Sequence, residues 1–361
     1  MIRFRKPGSL ILVYWKEELE SLFQAKMVPF PRRVWYALHG FSPAAAWFKG
    51  VDRQNFRNFL KDHTYYKHTP YNNPTATDKI SKVNFRQTLC DFSDYLPRYY
   101  AELSGGVVKP LDSWPAADPC DGAEAVVRLL EKEGRLAFKL VQGRSGKGFL
   151  VGRYHGPDSY SFNDAPCDRK AAVQTVAAMN GYIVTEYVRQ CEAYEAIWSR
   201  TSHTLRIQTT NVMTGKAEIA FAFLRFGSSR VLHAVSHINC PGNYTAIIDP
   251  QTGHTKKVIS VDEGGRSVLV HTHPETGEDL ELNVPHWELI ASACLRMHDE
   301  KLSDLSWLGW DIMVTDDGFR ILEINTLTGL IGVEADEPIL ASQKLRPIFE
   351  KLMQESRARK Q

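Results

Sequence analysis

The chain has 361 residues, 43% of them apolar and 24% charged, with a formal charge of +2. That length allows a large core split into two or three domains, and the composition, free of repeats and low-complexity tracts, is that of an ordinary globular protein. The basic residues are scattered rather than striped, which leaves nucleic-acid binding without electrostatic support.

The first element, "MIRFRKPGSLILVYWKEELE", has an apolar run from Leu10 to Trp15 that is too short for a secretory leader and ends in Lys-Glu-Glu. No later stretch approaches a membrane span. Arg3, Arg5, Lys6 and the nearby aromatics would permit peripheral membrane contact, though a packed N-terminal element is the simpler reading. Residues 1–95 read as a mainly helical region: "DRQNFRNFLKDHTYYKH" and "FRQTLCDFSDYLPRYYAEL" carry apolar residues at helical spacing around a turn-rich connection. Strands dominate from Val107: "GGVVKPL" and "RLAFKLV" flank a helix near 121–133, followed by "FLVGRYHG", the helix "DRKAAVQTVAAMN" and the buried strand "YIVTEYV". Two long strands then pair around Met213–Lys216, and a helix from about Pro285 to Lys301 precedes a last hairpin. This mixture predicts an α+β protein rather than one doubly wound sheet. Two further segments are expected, 96–180 and 181–355. The six cysteines show no metal-type spacing and read as reduced thiols of a cytoplasmic protein.

The last hairpin, "WDIMVTDDGFRILEIN" (310–325), places acids on strands otherwise built of Ile, Met, Val, Leu and Phe. Asp316-Asp317-Gly318 reads as a three-residue loop with Gly where positive φ is needed. That register sets Thr315 against Phe319 and Asp311 against Glu323, with Asp311, Glu323 and Asn325 on one face. A two-residue loop would shift the register by one and split them. Opposed carboxylates repel, so unless the face is a solvated edge it calls for a cation. A hard ion such as Mg²⁺ takes such oxygen ligands.

"KLVQGRSGKGFLVGR" lacks the Walker pattern and leads into a strand rather than a helix. It reads equally as a phosphate-covering lid or as a mobile hairpin tip. Lys109 and Lys139 each sit inside an apolar strand, and a buried Lys needs an anion, such as a nucleotide phosphate. Glu186 is the one acid of "YIVTEYV", a strand able to offer its backbone to an adenine edge. Arg206, within "SHTLRIQT", suits bidentate contact with phosphate or carboxylate, or a structural ion pair. His271 and His273 form a weaker zinc candidate beside a solvated hairpin end, and His237 with Cys240 a nucleophile candidate that lacks an orienting third group.

In order, these pieces resemble the ATP-grasp superfamily. "LEINTLTG" (322–329) is similar to the E-x-N-T-x-P-G closing motif of D-alanine–D-alanine ligases, with Thr328 in the place of Pro. "TDKISK", "YLPRYYAEL", "SHTLRI" and "LGWDIMVTDDGFRILEIN" resemble the sugar-transfer-associated, teichuronopeptide-biosynthesis type, with His203 where Asn is expected and "CPGN" where a Gly-Gly pair is expected. The resemblance implies an ATP-grasp fold of two α+β subdomains gripping ATP. It implies phosphate contacts from Lys109 and Lys139, a cover made by Gly146, Lys147 and Gly148, and adenine contacts from Glu186 and Val188. Asp311, Glu323 and Asn325 would bind Mg²⁺, while Arg206 and Lys147 would act in catalysis. The implied reaction is ATP-dependent ligation of a small-molecule or glycopolymer carboxylate to an amine through an acyl phosphate, in polysaccharide or peptide biosynthesis. A phosphotransferase acting on a hydroxyl and a non-catalytic nucleotide-binding scaffold are the alternatives.

Overall fold

The computed structural model describes residues 23, 25–116, 119–142, 148–229 and 244–360. The chain divides into two compact units: one is Asp91–Arg189, and the other joins the segment up to Cys90 with Gln190 onward.

The smaller unit is a seven-stranded antiparallel sheet of β1 (Tyr99–Ser104), β2 (Val107–Pro110), β3 (Arg135–Leu140), β4 (Leu150–Gly156), β5 (Ser159–Phe162), β6 (Ala165–Cys167) and β7 (Tyr182–Glu186), in the order β2-β1-β7-β3-β4-β5-β6. The helices Ala123–Glu133 and Arg169–Ala177 contribute Val126, Leu130, Ala172 and Val176 to a core with Leu103, Leu136, Phe138 and Val184. Asp168 caps the second helix by accepting from the Ala171 N–H. The helical expectation for "YLPRYYAEL" fails here. Pro97 interrupts the helical spacing, and Tyr99 to Ser104 pair as β1 between β2 and β7. The expected boundaries also move. β7 does not open the C-terminal segment but lies between β1 and β3 in the smaller unit's sheet.

The larger unit contains the second antiparallel sheet: β8 (Thr204–Thr210), β9 (Glu218–Phe226), β10 (Tyr244–Ile248), β11 (Thr255–Val261), β12 (Ser267–Val270), β13 (Trp307–Thr315) and β14 (Gly318–Asn325), in the order β12-β11-β10-β9-β8-β13-β14. One core joins Phe221, Phe223, Ile247 and Trp307 from these strands to Tyr65, Leu345, Phe349 and Leu352 from helices. The early helices are therefore part of this unit rather than a region apart. Lys49 and Glu334, each side chain 1% exposed, form an ion pair at 2.7 Å, and Glu334 also accepts from the Leu60 N–H. Tyr65 donates to the Thr328 carbonyl at 2.7 Å. Among the described residues, no helix is long and apolar enough to cross a membrane, and Cys90, Cys120, Cys167, Cys191 and Cys294 form no disulfide.

Candidate active site

The hairpin β13–β14 turns through Asp316 and Asp317 alone, with Thr315 paired to Gly318. This corrects the expected three-residue loop. Side chains close the tighter turn: Thr315 donates to Asp317, Arg320 donates to Asp317, and Asp316 accepts from the Glu192 N–H. Gly318, at φ +138°, occupies a conformation costly for any residue with a Cβ. The ladder consequently runs one residue out of step, pairing Val314 with Phe319 and Ile312 with Ile321. A β-bulge then leaves Leu322 unpaired, so Asp311 meets Glu323 and Gly309 meets Asn325. Asp311, Glu323 and Asn325 thus share a face as expected, through a turn and a bulge that compensate each other.

Side-chain contacts complete the cluster. Arg206, opposite Asp311 on β8, donates Nε–H to Asp311 Oδ1 at 2.7 Å and Nη2–H to Oδ2 at 2.6 Å. Arg225 adds an Nη2–H bond to Oδ1 at 2.9 Å. Asn325 donates Nδ2–H to both Asp311 Oδ2 and Glu323 Oε1, each at 2.9 Å. Burial pushes the Asp311 carboxyl up, but Arg206 and Arg225 outweigh it and hold the group below the usual carboxylate range. Glu323 goes the other way, raised by burial and by Asp311, with Lys82 opposing. Burial likewise pulls Lys82 and Arg225 below their ordinary values. The cation demanded by Asp311 is therefore supplied by guanidinium groups, whereas Glu323 keeps an under-compensated charge.

In the smaller unit, the register Lys109–Glu102–Ile183–Lys139 runs across β2, β1, β7 and β3, which places both lysines on one face. At ~4.8 Å per strand their backbones are about 14 Å apart. Lys109 is exposed, correcting the expectation of a buried lysine: its strand is the edge of the sheet. Lys139 is half-buried. Glu186 lies on the opposite face, because strand side chains alternate, and its carboxylate is held by Arg98 at 2.6 Å. Val188, half-buried, follows the end of β7. Gly148 has φ +75°, and a Cβ there would press on Leu140 and the Tyr182 hydroxyl at 3.2 Å. Gly146, Lys147, His237, Cys240, Arg3, Arg5 and Lys6 lie outside the described residues.

Residues 63–344, more than three quarters of the chain, match the family described as sugar-transfer associated ATP-grasp. The chain belongs to that family. No curated protein matches this ATP-grasp chain. Among solved structures it is similar to the ATP-grasp ligase PsnB complexed with a phosphomimetic variant of its minimal precursor, Mg and ADP, at 15% identity and a TM-score of 0.40, covering 79% of this chain and 61% of that one. It is also similar to D-alanine–D-alanine ligase from Bacillus anthracis complexed with ATP, at 14% identity and a TM-score of 0.39, over 82% and 70% of the two chains. A third is D-alanyl-alanine synthetase A from Vibrio cholerae, at 12% identity and a TM-score of 0.45, over 78% and 66%. The chain spans about three fifths of the length of PsnB. Family membership rests on the sequence match, not on these distant likenesses.

The donor set fits the Mg²⁺ ion expected of an ATP-grasp protein. Among the described residues no three His, Cys, Asp or Glu side chains cluster to hold a metal unaided. Mg²⁺ does not need that, since it keeps waters and shares its shell with substrate phosphates. The Asn325 amide nitrogen sits between the two carboxylates. Exchanging its nitrogen and oxygen would direct three oxygens, from Asp311, Glu323 and Asn325, to one place.

Arg225 and Lys82 were missed in the sequence. Arg225 is an isolated charge in the apolar run "FAFLRF", the same signal that marked Arg206; Lys82 lies in an irregular turn with no periodicity to flag it. The zinc reading of His271 and His273 fails. His271 is exposed and paired with Glu281, while His273 is buried, its Nε2 bonded to the Gly227 carbonyl and its ring stacked on Trp198. His203 is also buried, its Nδ1 accepting from the Gly227 N–H at 3.2 Å, and burial lowers it to about 3.

Proposed function

We propose that this ATP-grasp chain is an ATP- and Mg²⁺-dependent carboxylate–amine ligase. The observation that carries the reading is the convergence of Asp311, Glu323 and Asn325 with two arginines at one buried point. Glu323, Asn325 and Oδ2 of Asp311 would hold the metal, which when bound neutralises phosphate charge and aligns the reacting groups. Lys109 and Lys139 would hold the ATP phosphates from their shared face, with Gly146, Lys147 and Gly148 covering them. The Glu186 side chain is engaged by Arg98, so the adenine would be met by backbone groups of Glu186 and Val188. Arg206 commits Nε and Nη2 to Asp311 and keeps Nη1 for negative charge developing on the transferred phosphoryl group and the acceptor.

In this reaction the acceptor carboxylate attacks the γ-phosphorus and ADP leaves. The amine then attacks the acyl carbon, gives up one proton to solvent, and phosphate leaves with formation of the amide. The acids in view are small molecules or glycopolymers of cell-surface polysaccharide or peptide biosynthesis, and the amines are amino acids. A phosphate-release screen of carboxylates and amines with MgATP, followed by mass spectrometry, tests the proposal. An amide product with free phosphate supports it; a phosphorylated hydroxyl, or no phosphate release across the panel, overturns it.

A further inference from the structure

The face of the larger sheet that carries Asp311 also carries buried polar atoms without partners. Three of them are neighbours in the ladder. Thr204 on β8 pairs with Arg225 on β9, and Arg225 pairs with Thr245 on β10, so the three side chains stand side by side. Thr204 and Thr245 are each 1% exposed, and among the described residues Thr204 Oγ1, Arg225 Nε and Thr245 Oγ1 take part in no hydrogen bond. Natural interiors pair roughly nine tenths or more of such groups, so three adjacent lapses mark a place where something else binds. Donor chemistry indicates what. Arg225 Nε–H can only donate, and both hydroxyls can donate beside it, so the missing partner is an acceptor with several oxygens.

We infer that Thr204, Arg225 and Thr245 form a cradle for a small oxyanion, the carboxylate of the acceptor substrate. The oxyanion follows from the cradle; its identity as the acceptor carboxylate rests on the ligase reading. Nη2 of Arg225 is bonded to Asp311, so an oxyanion on Nε lies one guanidinium away from the proposed metal ligands. The two hydroxyls donate to its oxygens.

The test needs no turnover and so stands or falls apart from the ligase assay. Affinities of the full chain for acetate and for inorganic phosphate are measured by thermal-shift titration against chloride at matched ionic strength. Acetate is expected to bind, and Thr204→Val/Thr245→Val to weaken it by about tenfold or more per hydroxyl, since bonds to charged groups are the strong ones. Thr204→Ser/Thr245→Ser restores binding and serves as the control should the valine variant fold poorly. Binding of phosphate without acetate would retain an oxyanion site but overturn the acceptor assignment. Equal anion affinities in wild type and both variants, or no anion effect beyond chloride, would overturn the cradle itself.

Discussion

Gly309 offers a steric test of the site, because its backbone is compatible with any residue and only space forbids a side chain. A Cβ at 309 would lie 2.2 Å from Thr328 Oγ1, 3.0 Å from Gln208 Oε1 and 3.3 Å from Arg206 Nη1. The first distance forces a shift. Thr328 yields poorly: it is branched and stiff at χ1, buried, and its carbonyl is held by Tyr65. Overpacking of this kind costs about 1–3 kcal/mol, offset by about 0.4–1 kcal/mol from the reduced freedom of the unfolded chain. Gly309→Ala is therefore expected to destabilise the protein by about 1–2 kcal/mol. Thr328→Ala removes the obstructing hydroxyl, so the double variant should recover much of the loss, with a coupling energy of about 1 kcal/mol. Urea unfolding followed by tryptophan fluorescence suits the measurement, since Trp307 and Trp310 lie in the same strand. A Gly309→Ala protein as stable as wild type, or additive effects in the double variant, would refute the close approach of Thr328 to β13.

Glu323→Gln should abolish MgATP-dependent turnover with no loss of stability, because burial already disfavours the Glu323 charge; an active variant would remove Glu323 from the metal set. Lys139→Met should weaken ATP binding by calorimetry, and unchanged affinity would remove Lys139 from the phosphate site. Lys49→Met strands Glu334 as a buried charge and should cost about 3–5 kcal/mol in urea unfolding, a result contradicted by a loss below 1 kcal/mol, roughly the value of a surface pair. For His203, the folded pKa of about 3 lies below that of the unfolded side chain. Between about pH 6.5 and 3 the unfolded state holds the extra proton, so this contribution is present above that window and is lost as pH falls through it, at up to about 1.4 kcal/mol per unit. His203→Asn should flatten the pH dependence of the urea midpoint below pH 6.5, and an unaltered slope would show that His203 does not titrate this way.

Much of the architecture was legible because strand and helix periodicities are local. The two strands around Met213–Lys216 and the helix ending at Lys301 follow the apolar pattern directly. What failed depended on partners distant in the chain. A strand reads alike at the edge or the centre of a sheet, so the exposure of Lys109 follows from β2 having only β1 beside it. "YLPRYYAEL" is ambiguous in isolation, and pairing with β7 decides for strand. The site shows the same limit. The alternation of Asp311, Glu323 and Asn325 was readable, but the compensating bulge at Leu322 leaves no mark in the sequence. The arginines on Asp311 come from other strands, and only the assembled sheet sets them against it.

The division of the chain has a consequence for its biosynthesis. All seven strands of the smaller sheet lie between Tyr99 and Glu186, so that unit has every strand and both its helices in hand once the ribosome has released residue 189. The larger unit is in the opposite position. Residues such as Phe48, Leu60 and Tyr65 emerge first, yet their packing partners Leu345, Phe349 and Leu352 emerge almost last. Lys49 likewise waits some 285 residues for Glu334. Through most of translation these early aromatic and aliphatic side chains lack those late partners, and apolar surface left unburied in this way is what chaperones bind and what aggregates when synthesis stalls.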